Sequence, residues 1–246
     1  SKGEDKKGLW ERFLIEQRLG ALALLRNLRN FQKTGVDLDL VRKALLTVKT
    51  DRVLPFRFIT AARYAPSLEP ELEQAMFRCL QGVQKLPGRT VLLVDVSGSM
   101  DSALSFANAQ ASEATRMDAA CGLAVLAREL CDDIAIFTFS NQTIEIPASR
   151  RGFALRDKCL NSQLHSATRL GDAVRYVNQL SYERLIVITD EQSHDVVPDP
   201  RGLGYVINVA SAQNGIGYGR WQHIDGWSEA VLDYIRVNEE LQSQEG

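Results

Sequence analysis

Cysteine, histidine and long apolar runs are all scarce in this chain of 246 residues. The four cysteines, Cys79, Cys121, Cys131 and Cys159, are scattered and form no C-x-x-C pair. Three of them sit among apolar residues, so they read as small buried hydrophobes in a reducing compartment rather than as a disulfide framework. The three histidines, His165, His194 and His223, have no metal-ligand spacing. No apolar run approaches the roughly 20 residues that a membrane-spanning helix needs, and no membrane partner is expected. The opening residues, Ser1 to Gly8, form a polar charge cluster without the apolar core of a secretory signal.

What remains is ordinary globular composition, with 45% hydrophobic and 24% charged residues. The net charge of −2 hides an asymmetry. Residues 1–88 carry 16 Lys and Arg against 10 Asp and Glu, a net +6; residues 89–246 carry 13 against 21, a net −8. A basic segment joined to an acidic one points to different partners for each, and the basic segment suits a polyanion.

The periodicity changes at the same place. From Leu9 to Leu86 apolar residues recur at helical spacing. Ala21 to Leu25 with Leu28 and Phe31 give one face, and Val36 to Val48 another. Pro55 can open a helix through Phe58 and Ala62, Pro66 breaks it, and Ser67 is placed to cap the next. Five short helices without a strand signal predict stacked helical hairpins, an all-α helical-repeat segment over residues 1–88. Asn27 and Asn30 are candidates for hydrogen bonds between helices, and Phe56 and Phe58 for the core.

After Pro87-Gly88 the runs become those of buried strands. Thr90–Val94, Asp133–Phe139, Arg184–Thr189 and Leu203–Val209 read as strands, and Thr143–Ile146 as a short alternating one. Arg116–Leu130, Phe153–Leu160, Arg169–Leu180 and Trp227–Leu241 read as helices. Strands alternating with helices predict an α/β fold for residues 89–246: a doubly wound, mostly parallel, Rossmann-like sheet, with room for one antiparallel edge.

In such sheets ligands bind beyond the carboxyl ends of the strands. The first of these ends leads into Asp95-Val96-Ser97-Gly98-Ser99-Met100. One carboxylate and two hydroxyls crowd a tight turn that Gly98 permits. Hard oxygen donors suit Mg²⁺, with Mn²⁺ as the alternative.

The run Val91-Leu-Leu-Val-Asp-Val-Ser-Gly-Ser-Met100 resembles the metal-ion-dependent adhesion site of von Willebrand factor A-type domains. The resemblance implies a second loop at Thr168, in Ala167-Thr-Arg-Leu-Gly-Asp-Ala173, and a third at Asp190, in Ile186-Val-Ile-Thr-Asp190. The implied metal ligands are therefore Asp95, Ser97, Ser99, Thr168 and Asp190, with one coordination position left for a carboxylate from an acidic protein ligand. The chain departs from the family in three places. Ser166-Ala167 stands where glycines usually precede the threonine, Glu191 stands where a glycine usually follows the third-loop aspartate, and Asp101–Thr115 resembles an insertion above the first loop.

Upstream, Leu24-Leu-Arg-Asn-Leu-Arg-Asn30 and Val53-Leu-Pro-Phe-Arg-Phe-Ile-Thr-Ala61 are similar to the closing segment of the TROVE module. In Ro-type ribonucleoproteins that module directly precedes a von Willebrand A-type domain. The likeness covers only the end of the module, so the chain resembles a fragment or an unusually short relative. It implies a non-enzymatic, cytoplasmic protein that binds small noncoding RNA of the Y-RNA kind. Arg26, Arg29 and Lys33, at helical spacing, are the candidate phosphate contacts. Two other readings stand beside it. One is a metal-dependent protein-interaction module without RNA affinity. The other is a metal hydrolase drawing on Glu191, His194 and Asp195, for which no nucleophile and base pair by motif.

Overall fold

The computed structural model describes residues 5–103, 114–210, 219–226, 228 and 230–244. They form two compact units, one ending at Val83 and the other beginning at Gln84. Among the described residues no helix is long and apolar enough to cross a membrane.

The first unit is all helical: α1 (Lys6–Ile15), α2 (Ala21–Thr34), α3 (Leu38–Thr47), α4 (Phe56–Tyr64) and α5 (Glu69–Cys79). Helix α2 shows why the pattern folds this way. Ala21, Leu24, Leu28 and Phe31 are buried at three- and four-residue spacing. Gly35 ends the helix in the left-handed region at φ 68°, and its N–H reaches the carbonyls of Gln32 and Phe31. Each helix packs on the next but one, α1 on α3, α2 on α4 and α3 on α5. Phe56 and Phe58 lie in the core, as expected.

Two local readings are corrected. Ser67 caps nothing: it lies in the 3₁₀ turn Pro66–Leu68, and α5 starts at Glu69. A proline at each of the two starts favours a tight turn before the helix proper. Nor do Asn27 and Asn30 bridge helices. Asn27 donates to the carbonyl of Ala23, and Asn30 donates to Asn27, both within α2.

The second unit is an α/β fold around a six-stranded sheet in the order β3-β2-β1-β4-β5-β6. The strands are β1 (Leu86–Asp95), β2 (Cys131–Phe139), β3 (Thr143–Ile146), β4 (Arg184–Thr189), β5 (Leu203–Asn208) and β6 (Trp221–Asp225). All neighbours pair in parallel except β2 and β3. The helices are α6 (Arg116–Leu130), α7 (Gly152–Leu160), α8 (Leu170–Val177) and α9 (Val231–Gln244). This is the doubly wound, mostly parallel sheet that the alternating pattern predicts.

Three differences from the expected elements have physical causes. Strand β1 begins at Leu86, and its pairing with β2 is irregular between Leu86 and Arg89. Pro87-Gly88 is thus an irregularity inside the strand, with Gly88 at φ 77°, and not a break before it. The edge strand β6 was not expected; Trp221-Gln-His-Ile-Asp225 is short, half-exposed and without an aliphatic run. The expected helix Trp227–Leu241 is instead Val231–Gln244; Trp227 itself lies outside the described residues. Most of the stretch Asp101–Thr115 also lies outside them.

The two faces of the sheet have separate roles. On one, Val91, Leu93, Leu185 and Val187 pack with Leu170, Ala173, Val174 and Val177 of α8. The alternate residues face the other way. There the buried Arg184 donates to the carbonyl of Pro87 at 2.6 Å, to Thr90 Oγ1 at 2.9 Å and to Glu239 of α9 at 2.8 Å. Tyr205 donates to the same carboxylate at 3.2 Å. Glu239→Ala would leave the guanidinium buried without its counter-charge, so it is expected to cost about 3 kcal/mol. Urea denaturation measures this, and an unchanged midpoint would show that α9 is held without the pair.

Candidate metal centre

The order of the strands reverses at β1. The chain builds β2 and β3 on one side of it, then returns to lay β4, β5 and β6 on the other. The carboxyl ends of β1 and β4 therefore form the topological switch point, where open α/β sheets bind ligands. Asp95 is the last residue of β1, and Asp190 follows the last residue of β4.

Asp95 is fully buried. One of its oxygens accepts the backbone N–H of Ser97 at 2.9 Å, and the other accepts the hydroxyl of Thr189 at 2.7 Å. The second bond lies one residue beyond the last registered pair of the two strands, Val94 and Ile188. It ties the ends of β1 and β4 together. The hydroxyl oxygens of Ser97 and Ser99 stand 3.2 Å apart. Gly98 between them lies close to the second loop: a β-carbon there would stand 3.1 Å from the carbonyl of His165, a tight contact that this backbone would have to ease. The first and second loops are in contact at this point.

Ser140, just past β2, shapes the second loop. Its hydroxyl accepts the N–H of Ser166 at 3.0 Å and donates to the carbonyl of Ala167 at 2.8 Å. Its carbonyl takes the N–H of Arg169 at 3.1 Å. Thr168, between these bonds, is buried. His194 of the third loop clasps it from the other side: the His194 N–H donates to the Thr168 carbonyl at 3.0 Å, and the Thr168 N–H to His194 Nδ1 at 3.4 Å.

The third loop is braced at every charged residue. Asp190 is fully buried and takes the Gln192 N–H at 3.3 Å and Arg116 Nη1 at 3.1 Å. Glu191 adopts φ 61°, the left-handed region that normally takes glycine. Its N–H donates to Thr189 Oγ1 at 3.1 Å, and its carboxylate meets His223 Nδ1 at 3.1 Å. Asp195 caps α8, accepting the N–H groups of Gly171 at 2.9 Å and Asp172 at 2.8 Å. Gly171 is required there, because a β-carbon would stand 2.2 Å from the Val196 carbonyl. Glu191, His194 and Asp195, the residues of the hydrolase reading, are thus all engaged in holding the loop.

Of the five residues expected to bind metal, Asp95, Ser97 and Ser99 share one turn. Asp190 follows the adjacent strand, and Thr168 is joined to the third loop through His194. Thr189, Ser140 and Arg116 were not anticipated. Thr189 carried a signal, being the one polar residue closing an aliphatic run; Arg116 carried none, since its partner is 74 residues away. Among the described residues no three His, Cys, Asp or Glu side chains gather, so a cation here would depend on hydroxyls. The donor set allows it. Neighbouring oxygens around an octahedral Mg²⁺ with bonds of 2.0–2.1 Å stand about 2.9 Å apart, close to the 3.2 Å between the two serine oxygens.

In the first unit, Arg26, Arg29 and Lys33 are exposed on the face of α2 opposite Leu24, Leu28 and Phe31. The guanidinium of Arg29 lies 3.4 Å over the ring of Tyr64.

Burial pushes the Asp95 carboxyl up from 3.8 to about 6, against the lowering effect of its hydrogen bonds to Ser97 and Thr189. The folded protein therefore holds this proton more tightly than the unfolded chain. The resulting stabilisation is complete below pH 3.8 and is lost as pH rises through about 6; a shift of this size corresponds to about 3 kcal/mol. In metal-free protein, Asp95→Asn is expected to flatten the fall in stability between about pH 4 and about pH 7. Urea denaturation across that range measures it, and an equally steep fall in the variant would place the cost elsewhere.

No protein-family model and no curated protein sequence matches the chain. Solved structures do. The Ro (RSR) protein of Deinococcus radiodurans is 19% identical, with a TM-score of 0.65 over 90% of this chain and 54% of that one. An aerotolerance-related membrane protein from Bacteroides fragilis is 13% identical, over 61% of this chain and 98% of that one, with a TM-score of 0.43. The PilB minor pilin of Streptococcus sanguinis is 14% identical, over 67% and 62% of the two chains, with a TM-score of 0.41. The chain spans about half the length of the Deinococcus protein, and with that protein it shares its fold.

Proposed function

We propose that this chain is part of a Ro-type ribonucleoprotein: a non-enzymatic, cytoplasmic protein that binds small noncoding RNA, with a von Willebrand A-type domain that holds a divalent cation. The observation that carries this reading is the order of its parts. A basic helical unit precedes an α/β unit whose switch point bears the Asp95-Val-Ser-Gly-Ser99 turn, and the fold likeness to the Deinococcus Ro protein runs through 90% of the chain. In this reading Arg26, Arg29 and Lys33 contact RNA phosphates, Y-RNA-like in the full-length protein. Mg²⁺, or Mn²⁺ in its place, is held by Asp95, Ser97, Ser99, Thr168 and Asp190. When bound, the ion supplies an electropositive centre for a carboxylate. The chain's own contribution is to keep Asp95 buried and aimed, to set the two serine hydroxyls side by side, and to fix Thr168 against the third loop.

A second reading has its own support. Leu164 on the second loop and Val196 on the third are 84% and 83% exposed. Aliphatic side chains on the loops that carry the expected ligands suit a protein partner presenting an acidic residue among apolar ones. The chain would then be a metal-dependent interaction module without RNA affinity of its own.

Titration with a small structured RNA at low and moderate salt, with and without Mg²⁺, separates the two. The first reading expects binding that weakens steeply with salt and ignores Mg²⁺. Reversing Arg26, Arg29 and Lys33 to Glu should lower the log–log salt slope by about 2–3, whereas Asp95→Ala should leave it unchanged. No binding even at low salt would remove RNA from the role of this chain and leave the second reading.

A further inference from the structure

We propose that Arg116 is a resident counter-cation at the metal centre, which competes with the divalent ion for Asp190 and so weakens metal binding. The inference rests on the metal-site reading above and adds to it a residue that no ligand motif contains.

The position of Arg116 is fixed from three sides. It is the first residue of α6, whose start is locked by a reciprocal cap: Thr115 Oγ1 accepts the Asp118 N–H at 3.1 Å, and Asp118 accepts the Thr115 N–H at 2.7 Å. The Arg116 N–H donates to the Ser102 carbonyl at 3.0 Å. Ala103 and Thr115 form an antiparallel bridge beside it. From this anchor the side chain, 17% exposed, places Nη1 3.1 Å from Asp190 Oδ2. Its Nε is buried without a hydrogen-bond partner, so the guanidinium reaches the carboxylate with one donor unused.

A fully buried carboxylate needs a counter-charge, and a guanidinium does not release its proton in proteins. Without a divalent ion, Arg116 neutralises Asp190. When the ion arrives, two cations share one carboxylate in a water-poor site, and the ion must displace or repel the guanidinium. Glu191 is set apart by its pairing with His223 at 3.1 Å. Among the three groups that remain, Asp95 and Asp190 with a divalent ion sum to zero, and Arg116 adds one positive charge. Arg116 thus weakens the hold on metal and raises the attraction for an incoming anion.

The test uses the whole chain and Mn²⁺, followed by electron paramagnetic resonance of the free ion. Arg116→Gln should bind Mn²⁺ at least about tenfold more tightly than wild type, a coupling of the usual size between interacting sites. Metal-free R116Q should also melt lower than wild type and recover more on adding Mn²⁺. Equal or weaker binding by R116Q, with wild type binding normally, overturns this inference alone. If neither protein binds Mn²⁺, the metal-site reading fails and takes the inference with it. A measurement on wild type guards against misfolding of the variant: the Arg116 Nε–Hε resonance, assigned by its loss in R116K, should shift as Mg²⁺ saturates. A resonance that stays fixed at saturation overturns the inference.

Discussion

The bond from the Thr189 hydroxyl to the Asp95 carboxylate joins the two parallel strands at which the order of the sheet reverses. A parallel pair has its backbone ladder up to Val94 and Ile188, and beyond that the ends are free to splay. This side-chain bond closes them for one further residue, at 2.7 Å and out of water. The first and third loops depend on that closure. It sets Asp95 so that its other oxygen can turn the chain at Ser97, and it leaves Thr189 Oγ1 to receive the Glu191 N–H that starts the third loop. The cost is a buried carboxylate with a raised pKa, which a divalent cation would relieve. The same group is therefore the keystone of the loop and, on the proposed reading, one of the two buried carboxylates that would draw a cation.

Much of this was legible in the sequence because hydrophobic burial is periodic. Continuous aliphatic runs at Val91–Val94 and Leu185–Ile188 read as strands covered on both faces, and those are the two strands at the switch point. The Asp95-Val-Ser-Gly-Ser99 turn was legible for a similar reason, since its donors are adjacent in the chain. What the sequence hid was pairing at long range. Arg116 with Asp190, Ser140 with Ala167 and His194 with Thr168 are set by the fold, and nothing local in the chain announces them. The missed strand β6 belongs to the same class, because an edge strand buried on one side needs its neighbour β5 to define it.

Two of the positions where the chain departs from the von Willebrand A-type pattern that it resembles are tied down locally. Ser166-Ala167 occupies a stretch where glycines would give freedom, and Ser140 fixes that backbone with a donor and an acceptor on one hydroxyl. Glu191 sits at a left-handed φ that a glycine would adopt without strain, a penalty of roughly 1–2 kcal/mol for an ordinary residue. Its carboxylate offsets part of this by meeting His223 of β6. In both cases a freely flexing loop is replaced by one tied to the sheet.

That replacement bears on how the centre would work. A site that closes around its ligand needs loops with few internal bonds. Here the third loop is bonded through Asp190, Glu191, His194 and Asp195 to α6, β6, the second loop and α8 in turn. Motion of the loop would break several of these contacts together, so a bound anion is met by a preformed surface. In such a surface affinity is set by charge more than by rearrangement. On the proposed reading, the balance among Asp95, Asp190 and Arg116 would then set how strongly the centre holds a cation and how strongly that cation draws an acid.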